Sequence, residues 1–497
     1  MKKILVVGVI LLFLGSSIPA IAQPKEHTRP LSHTLYVGGT GPGNYSTIQA
    51  AINDAKDGDT IFVFHNSSPY SGAEIFRSVK LIGEDKETTK VGNLISEKEN
   101  IIITGLTIEH ISVNYSNTVI RDNIITGSRF GITAYGCHNL VIMNNTLSDQ
   151  EMGIQMYSSD GIISGNTIIG TDGSSLGITI GSNCIVENNT FIFHGNYSSY
   201  PGLSVVYTNN TIRNNSFINT GLQLEIYTPE DVVQNTISGN SVNGKPLVFL
   251  KGKSNEIVDD AGQVYLIHCR QIQIRNLTIE DVPVAITLYD SYECNISNNS
   301  ISRCAYGISL GKSSKNMITK NRVFNCSSSG IIAGYAFAFA FSGVQNRICQ
   351  NLIKNCNDGI TIWDFNGPDS IQQNIVKSNY RGVRVVSDSN NISMNNITGN
   401  SIGLSIAGDH NIIHENNIIK NSKEAIFTYR IHNIWQKNYW NQSRTLPYII
   451  IGYVLTFPLS RIIPFMISLW LPWINIDWHP ARQPYAIAYD YQRGKNS

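Results

Sequence analysis

Residues 374–404 read NIVKSNYRGVRVVSDSNNISMNNITGNSIGL, one full period of a repeat and the start of the next. Eight residues after Asn374 comes Gly382-Val383, and eight after Asn395 comes Gly403-Leu404. Working outward, units of the form N-x-apolar align on Asn123, Asn145, Asn166, Asn189, Asn215, Asn240, Asn276, Asn299, Asn321, Asn351, Asn374, Asn395, Asn417 and Asn438. The small-then-aliphatic pair recurs at Gly131-Ile132, Gly153-Ile154, Gly307-Ile308, Gly359-Ile360 and Ala425-Ile426. Most steps are 21–26 residues, and a regular period of this length defines a solenoid.

Each unit is too short for paired helices. It holds short β-branched runs such as Ile272-Gln273-Ile274 and Ile360-Thr361-Ile362, separated by Asn, Gly, Ser or Asp. Leucine-rich repeats share the period, but their Leu lattice is missing. One turn of a parallel β-helix fits, so the chain is expected to be all-β. Asn at a fixed corner tolerates left-handed backbone and can bond to the Asn of the next rung, while Gly at a second corner permits a bend. Some fourteen rungs, about 4.8 Å apart, predict a rod of roughly 70 Å.

A solenoid grows in one dimension, so 497 residues need not split into several domains. The net charge of +1 offers no basic surface for nucleic acid. Lys2-Lys3, an apolar run from Ile4 to Leu14, and Ala20-Ile21-Ala22 read as a secretory signal cleaved after Ala22. The expected location is therefore secreted or at the cell surface. Sequons at Asn114, Asn276 and Asn391 arise largely because the repeat corner itself supplies N-x-[ST]. Cys304, Cys326 and Cys356 each follow their rung's Asn by five residues. They are expected to stack as buried free thiols, since parallel stacking aims their Cβ vectors side by side. There is no C-x-x-C.

Ile48, Ala51, Ile52 and Ala55 predict a short amphipathic helix over about 46–56, covering the open end of the first rung. Residues 23–440 form the β-helix. The 36-residue step carries Gly244-Lys245-Pro246, and the 30-residue step carries Tyr335-Ala336-Phe337-Ala338-Phe339-Ala340-Phe341. That alternation would line one strand face with rings, as an enlarged core rung or a stacking platform. Residues 441–497 leave the repeat. Residues 449–473 are strongly apolar, but Pro458, Arg461, Pro464 and Pro472 favour a C-terminal cap over a membrane anchor.

Leu35-Tyr36-Val37-Gly38-Gly39, Asn243-Gly244-Lys245-Pro246-Leu247, Asp260-Ala261-Gly262-Gln263-Val264 and Asn438-Tyr439-Trp440 resemble segments of archaeal secreted right-handed β-helix proteins. Ile476-Asp477-Trp478-His479-Pro480 does so too. That β-helix is similar to the NosD-type periplasmic copper-maturation family and to the carbohydrate-binding and sugar-hydrolase β-helix domain. The resemblance implies a pectin-lyase-like fold and export, and it is weak for chemistry, because such folds host many activities.

Sugar hydrolysis needs two carboxylates at a defined separation. Asp364, Asp388 and Asp409 follow Gly359, Gly382 and Gly403 by five or six residues, placing an acid near one corner of three consecutive rungs. Acids this close would raise one pKa, as an acid catalyst requires, or attract calcium. The alternative is ordinary corner chemistry, where Asp replaces Asn or Ser. Trp363, Phe365, Tyr380 and Arg384 lie near them, with Arg381, as candidate ligand-binding residues. The Asn-Thr-Asp, paired-Asp and Gly-His-Asp set of polygalacturonase relatives is missing. A copper site needs clustered His, Met or Cys. His410 and His414 would stand about 13 Å apart on a strand, Met152 and Met156 face the same objection, and His138, His194 and His268 share no offset. No metal site is expected from these residues. The sequence thus predicts an exported β-helix binding polysaccharide or cell-surface glycan along a lateral face. A polysaccharide hydrolase or lyase, an adhesive scaffold, and a metal-maturation factor stand as alternatives.

Overall fold

The computed structural model describes residues 33–171, 176–195, 200–225, 234–334, 343–363, 367–428, 430–455 and 470–487. Residues 1–22, expected from sequence to be a signal, the aromatic insertion at 335–341, Asp364 and Phe365 lie outside them. The chain is a parallel β-solenoid of about 18 turns with one helix. It is longer than the fourteen rungs read from sequence, because turns between Thr34 and Thr107 lack the Asn that marks the others. At about 4.8 Å per rung the rod is roughly 85 Å long.

Three strands per turn build three lateral sheets, in two successive stacks. In the first stack the ten-stranded sheet runs from Thr34–Val37 to Thr236–Ser238, and the eight-stranded sheet from Ala73–Ile75 to Leu222–Leu224. The third sheet ends at Ser241–Val242, which turns through Asn243-Gly244 and pairs antiparallel with Lys245–Lys251. Both turn residues have positive φ, 51° and 77°, the geometry of a tight hairpin. Lys245–Lys251 then pairs parallel with Gln263–Ile267 and founds the second stack. The Gln263 side chain sews the seam: its Oε1 accepts the Leu222 N–H at 3.0 Å and its Nε2 donates to the Leu222 carbonyl at 2.7 Å. An amide side chain thereby stands in for a missing strand.

The inner column of Asn amides is the device that repeats. Asn145 Oδ1 accepts both the Asn123 backbone N–H (3.0 Å) and Asn123 Nδ2 (3.1 Å), and Asn123 Nδ2 also donates to the Ile103 carbonyl (3.0 Å). The same pattern continues through Asn166, Asn189, Asn215 and Asn240, then from Asn299 through Asn321, Asn351, Asn374, Asn395 and Asn416 to Asn438. All of these are buried and their amides hydrogen-bonded, which is how a polar group is tolerated in a core.

Two of the aligned positions shift by one. Asn416, not Asn417, occupies the column, and Asn276 sits one residue before it, with Leu277 in the column position. Leu277 has no amide to pass on, so the column restarts at Asn299. The left-handed backbone also belongs to the preceding residue: Asn144, Asn188, Asn298 and even Met394 have φ between 53° and 58°. Conformation and hydrogen bonding are thus divided between neighbours.

The glycine column exists for a different reason than a bend. Gly131, Gly359, Gly382 and Gly403 do not have positive φ. A Cβ on Gly359 would lie 2.5 Å from the Gly382 carbonyl oxygen, and one on Gly382 2.6 Å from that of Gly403. Rungs approach too closely there for any side chain.

At the N-terminal end, helix Ile48–Asp54 starts at Thr47, whose hydroxyl accepts the Ala50 N–H, and buries Ile48, Ala51 and Ile52. At the other end, strands Tyr448–Leu455 and Trp470–Asp477 form an antiparallel hairpin. Asp477 closes the Asn column, accepting from the Asn438 N–H (3.0 Å), Asn438 Nδ2 (3.2 Å) and Trp440 Nε1 (2.9 Å). Ile450 packs inward while Ile449, Ile451, Tyr453, Trp473 and Ile474 are exposed. Among the described residues no helix is long and apolar enough to cross a membrane. All eight cysteines are buried free thiols, and burial pushes Cys304 up to about 12.

Candidate functional site

Strands Asp358–Ile362 and Arg381–Val385 are neighbours on one lateral face, with Asp358 opposite Arg381 and Thr361 opposite Arg384. Ile360, Ile362, Val383 and Val385 are buried in the core, alternation turns Thr361 and Arg384 to the opposite face, and Asp358 and Arg381 stand at the start of each strand, before Gly359 and Gly382. Asp358 is only 4% exposed. Its carboxylate accepts from Arg381 Nε (2.5 Å) and Nη2 (2.9 Å), and Arg384 Nη1 lies 3.7 Å away. Thr361 Oγ1 donates to the same carboxylate at 3.4 Å.

Two guanidiniums therefore share one carboxylate. Burial, then the adjacent Arg381, hold Arg384 below the usual guanidinium pKa, although it remains charged. The Arg384 guanidinium lies 4.6 Å from the centre of the Trp363 ring, and that of Arg381 5.6 Å from Tyr380. Trp363 and Tyr380 are 48% and 54% exposed, large rings presented to solvent beside a crowded pair of cations. Sequence reasoning singled out Trp363, Tyr380 and Arg384, which the structure brings together. Asp358, which organises them, was not among the candidates, because its pairing with Arg381 depends on the register of two strands 23 residues apart.

The acid corner is built differently. Asp388 Oδ1 accepts the Asp409 backbone N–H at 2.6 Å, and Asp409 Oδ1 accepts the His432 backbone N–H at 2.9 Å. Each carboxylate thus ties its rung to the next. Burial pushes the Asp409 carboxyl up, but the His432 ring and N–H, with a contribution from the His410 backbone, outweigh it and lower its pKa. That direction is opposite to the one an acid catalyst needs.

This corner also gathers histidines. His432 Nδ1 lies 2.9 Å and His410 Nδ1 3.7 Å from Asp409 Oδ2, and the two rings stack at 5.4 Å. The sequence reading set His410 against His414 and left out His432, which lies one 22-residue turn after His410.

Residues 246–456 match the family described as periplasmic copper-binding protein (NosD), and residues 81–217 and 109–260 match the right-handed beta helix region. The chain is a right-handed parallel β-helix repeat protein. Within that class its second stack is NosD-like. No curated protein matches it. Among solved structures, an alginate lyase from Paenibacillus sp. is 13% identical, with 58% of this chain and 94% of that one covered at a TM-score of 0.30. A DFA-IIIase from Arthrobacter chlorophenolicus is 11% identical, covering 82% and 95% at 0.33. The catalytic domain of an α-1,3-glucanase in complex with nigerose is 12% identical, covering 70% and 69% at 0.35. Overlaps at these scores carry no argument about chemistry.

Proposed function

We propose that this is an exported β-helix protein that binds acidic polysaccharide on the lateral face around Trp363, Tyr380, Arg381 and Arg384. The observation that carries this reading is the sharing of the buried Asp358 carboxylate by two guanidiniums. Among the described residues the cluster holds one more positive charge than negative, and a ligand carboxylate would relieve the mutual repulsion of Arg381 and Arg384. Exposed Trp363 and Tyr380 supply flat apolar surfaces on which the C–H faces of sugar rings can lie. Asp388 and Asp409 are occupied with backbone hydrogen bonds, so binding without turnover is the reading favoured here.

The NosD family description names copper, and the donors present decide which form of it would fit. Soft thiolate ligation is not supported, because the eight cysteines are buried. The nitrogen and oxygen donors at Asp409, His410 and His432 are instead of the kind that hold a borderline divalent ion such as Cu(II) or Zn(II).

Affinity electrophoresis of the mature chain in gels containing polygalacturonate, alginate or a neutral glucan tests the proposal. Retardation by the acidic polymers that weakens at high salt, with little by neutral glucan, is the expected result. Equal mobility in all gels would overturn it. Release of reducing or unsaturated ends during incubation would replace binding with catalysis.

A further inference from the structure

We infer that Asp409, His410 and His432 form a binding site for a divalent first-row transition ion such as Zn(II) or Cu(II). The inference does not depend on the carbohydrate reading.

The repeat itself builds this site. Asn390, Asn411 and Asn433 form a second amide column, in which Asn390 donates to Asn411 and Asn411 to Asn433. His410 and His432 directly precede two of these Asn residues, so the register that aligns the amides also stacks the imidazoles, with planes 19° apart. Asp409 lies 7% exposed beneath them. One oxygen of its carboxylate is fixed by the His432 N–H, and its own N–H is fixed by Asp388. The second oxygen faces both rings.

The spacing suits a metal. Two ligands of a tetrahedral zinc ion, each about 2.0–2.1 Å from it, lie about 3.4 Å apart. The Asp409 Oδ2 distances to the two Nδ1 atoms, 2.9 and 3.7 Å, bracket that value, and all three donor atoms lie within 4.8 Å of one another. The histidine side chains are 68% and 65% exposed, leaving room for water as a further ligand. Two imidazoles and one carboxylate favour zinc or copper over calcium, which takes six to eight oxygens.

Other rung-to-rung pairs show what a merely structural histidine looks like here. His138 pairs with Asp160 at 2.7 Å without a third ligand, and His268 shares Asp290 with Lys312, whose ammonium would repel a cation. Among the described residues, this cluster alone brings three such donors together.

The test is calorimetric titration of the untagged mature chain, freed of metal with chelator, using ZnCl2 and then CuCl2. It is repeated on His410→Gln, His432→Gln, the double variant and the control His138→Gln. Nitrogen hyperfine structure in the Cu(II) electron paramagnetic resonance spectrum gives a second readout. A saturable site, weakened at least tenfold by either single change, removed in the double variant and kept in the control, is expected. Glutamine retains bulk and the backbone N–H to Asp409, and circular dichroism verifies folding of each variant. Binding unchanged in the double variant, no binding to the folded wild type, or a Cu(II) spectrum without nitrogen ligands would overturn the assignment.

Discussion

Two kinds of side chain join rung to rung in this molecule, amides stacked in buried columns, the longest of them ending at Asn438, and carboxylates at an outer corner. In the amide column the N–H of each rung donates forward to the Asn of the next, as Asn351 does to Asn374. In the carboxylate column the direction reverses, with the N–H of Asp409 donating back to Asp388 and that of His432 back to Asp409. An amide both donates and accepts, so it passes the bond on and its hydrogen-bonding capacity is used inside the core. A carboxylate only accepts, and at Asp409 one oxygen is left facing two imidazoles. The amide column is finished structure, whereas the carboxylate corner retains unused capacity for a ligand.

The largest effect in this comparison is expected where a carboxylate ends the amide column. Asp477→Ala would leave the Asn438 N–H and the Trp440 indole N–H buried without an acceptor, while the Asn438 amide keeps only the Ile413 carbonyl. At ~1–3 kcal/mol for each unsatisfied group, the loss is about 4 kcal/mol, read as a lower midpoint in urea unfolding. Next comes Asn374→Ala within the column. It strands the Asn351 N–H, while the Asn351 amide keeps the Ile318 and Cys349 carbonyls, and should cost about 2 kcal/mol. If Asn374→Ala proved as mild as a surface change, the amide column would not be what holds the rungs. Gly359→Ala is expected to cost about 1–3 kcal/mol by overpacking against the Gly382 carbonyl, visible in the same unfolding assay.

The outer corner should answer to pH instead. Asp409 has a folded pKa below its unfolded value, so its contribution to stability is full above the unfolded value. It is lost as pH falls through the folded one. Thermal melts of wild type and Asp409→Asn should therefore differ most near neutrality and converge in acid. Persistence of the difference in acid would point to packing rather than charge.

The division between the columns also explains what the sequence revealed. The period, parallel strands and Asn column were legible because backbone satisfaction must be repeated at every rung. The one-residue shift at Asn416 was ambiguous because Asn416 and Asn417 are adjacent and both fit the spacing. At Asn276 the left-handed position mimics the column position beside it. The lateral cluster was half legible: Trp363, Tyr380 and Arg384 stand out as residue types, but the role of Asp358 depends on register with Arg381. The His410–His432 pair was hidden because contacts in a solenoid lie one turn apart, and Leu277 shows that a turn need not carry its marker residue.

The smallest effect on stability should come from the face proposed to bind. Trp363→Ala is expected to leave the melting temperature unchanged, since its ring is half exposed and no rung depends on it. The most direct test of the account is titration calorimetry of acidic oligogalacturonides into wild type, Trp363→Ala and Arg384→Ala. The account expects saturable binding to wild type and about tenfold weaker affinity in each variant, ~1.4 kcal/mol, with the fold intact. Equal affinity in all three, or no binding to wild type, would contradict it.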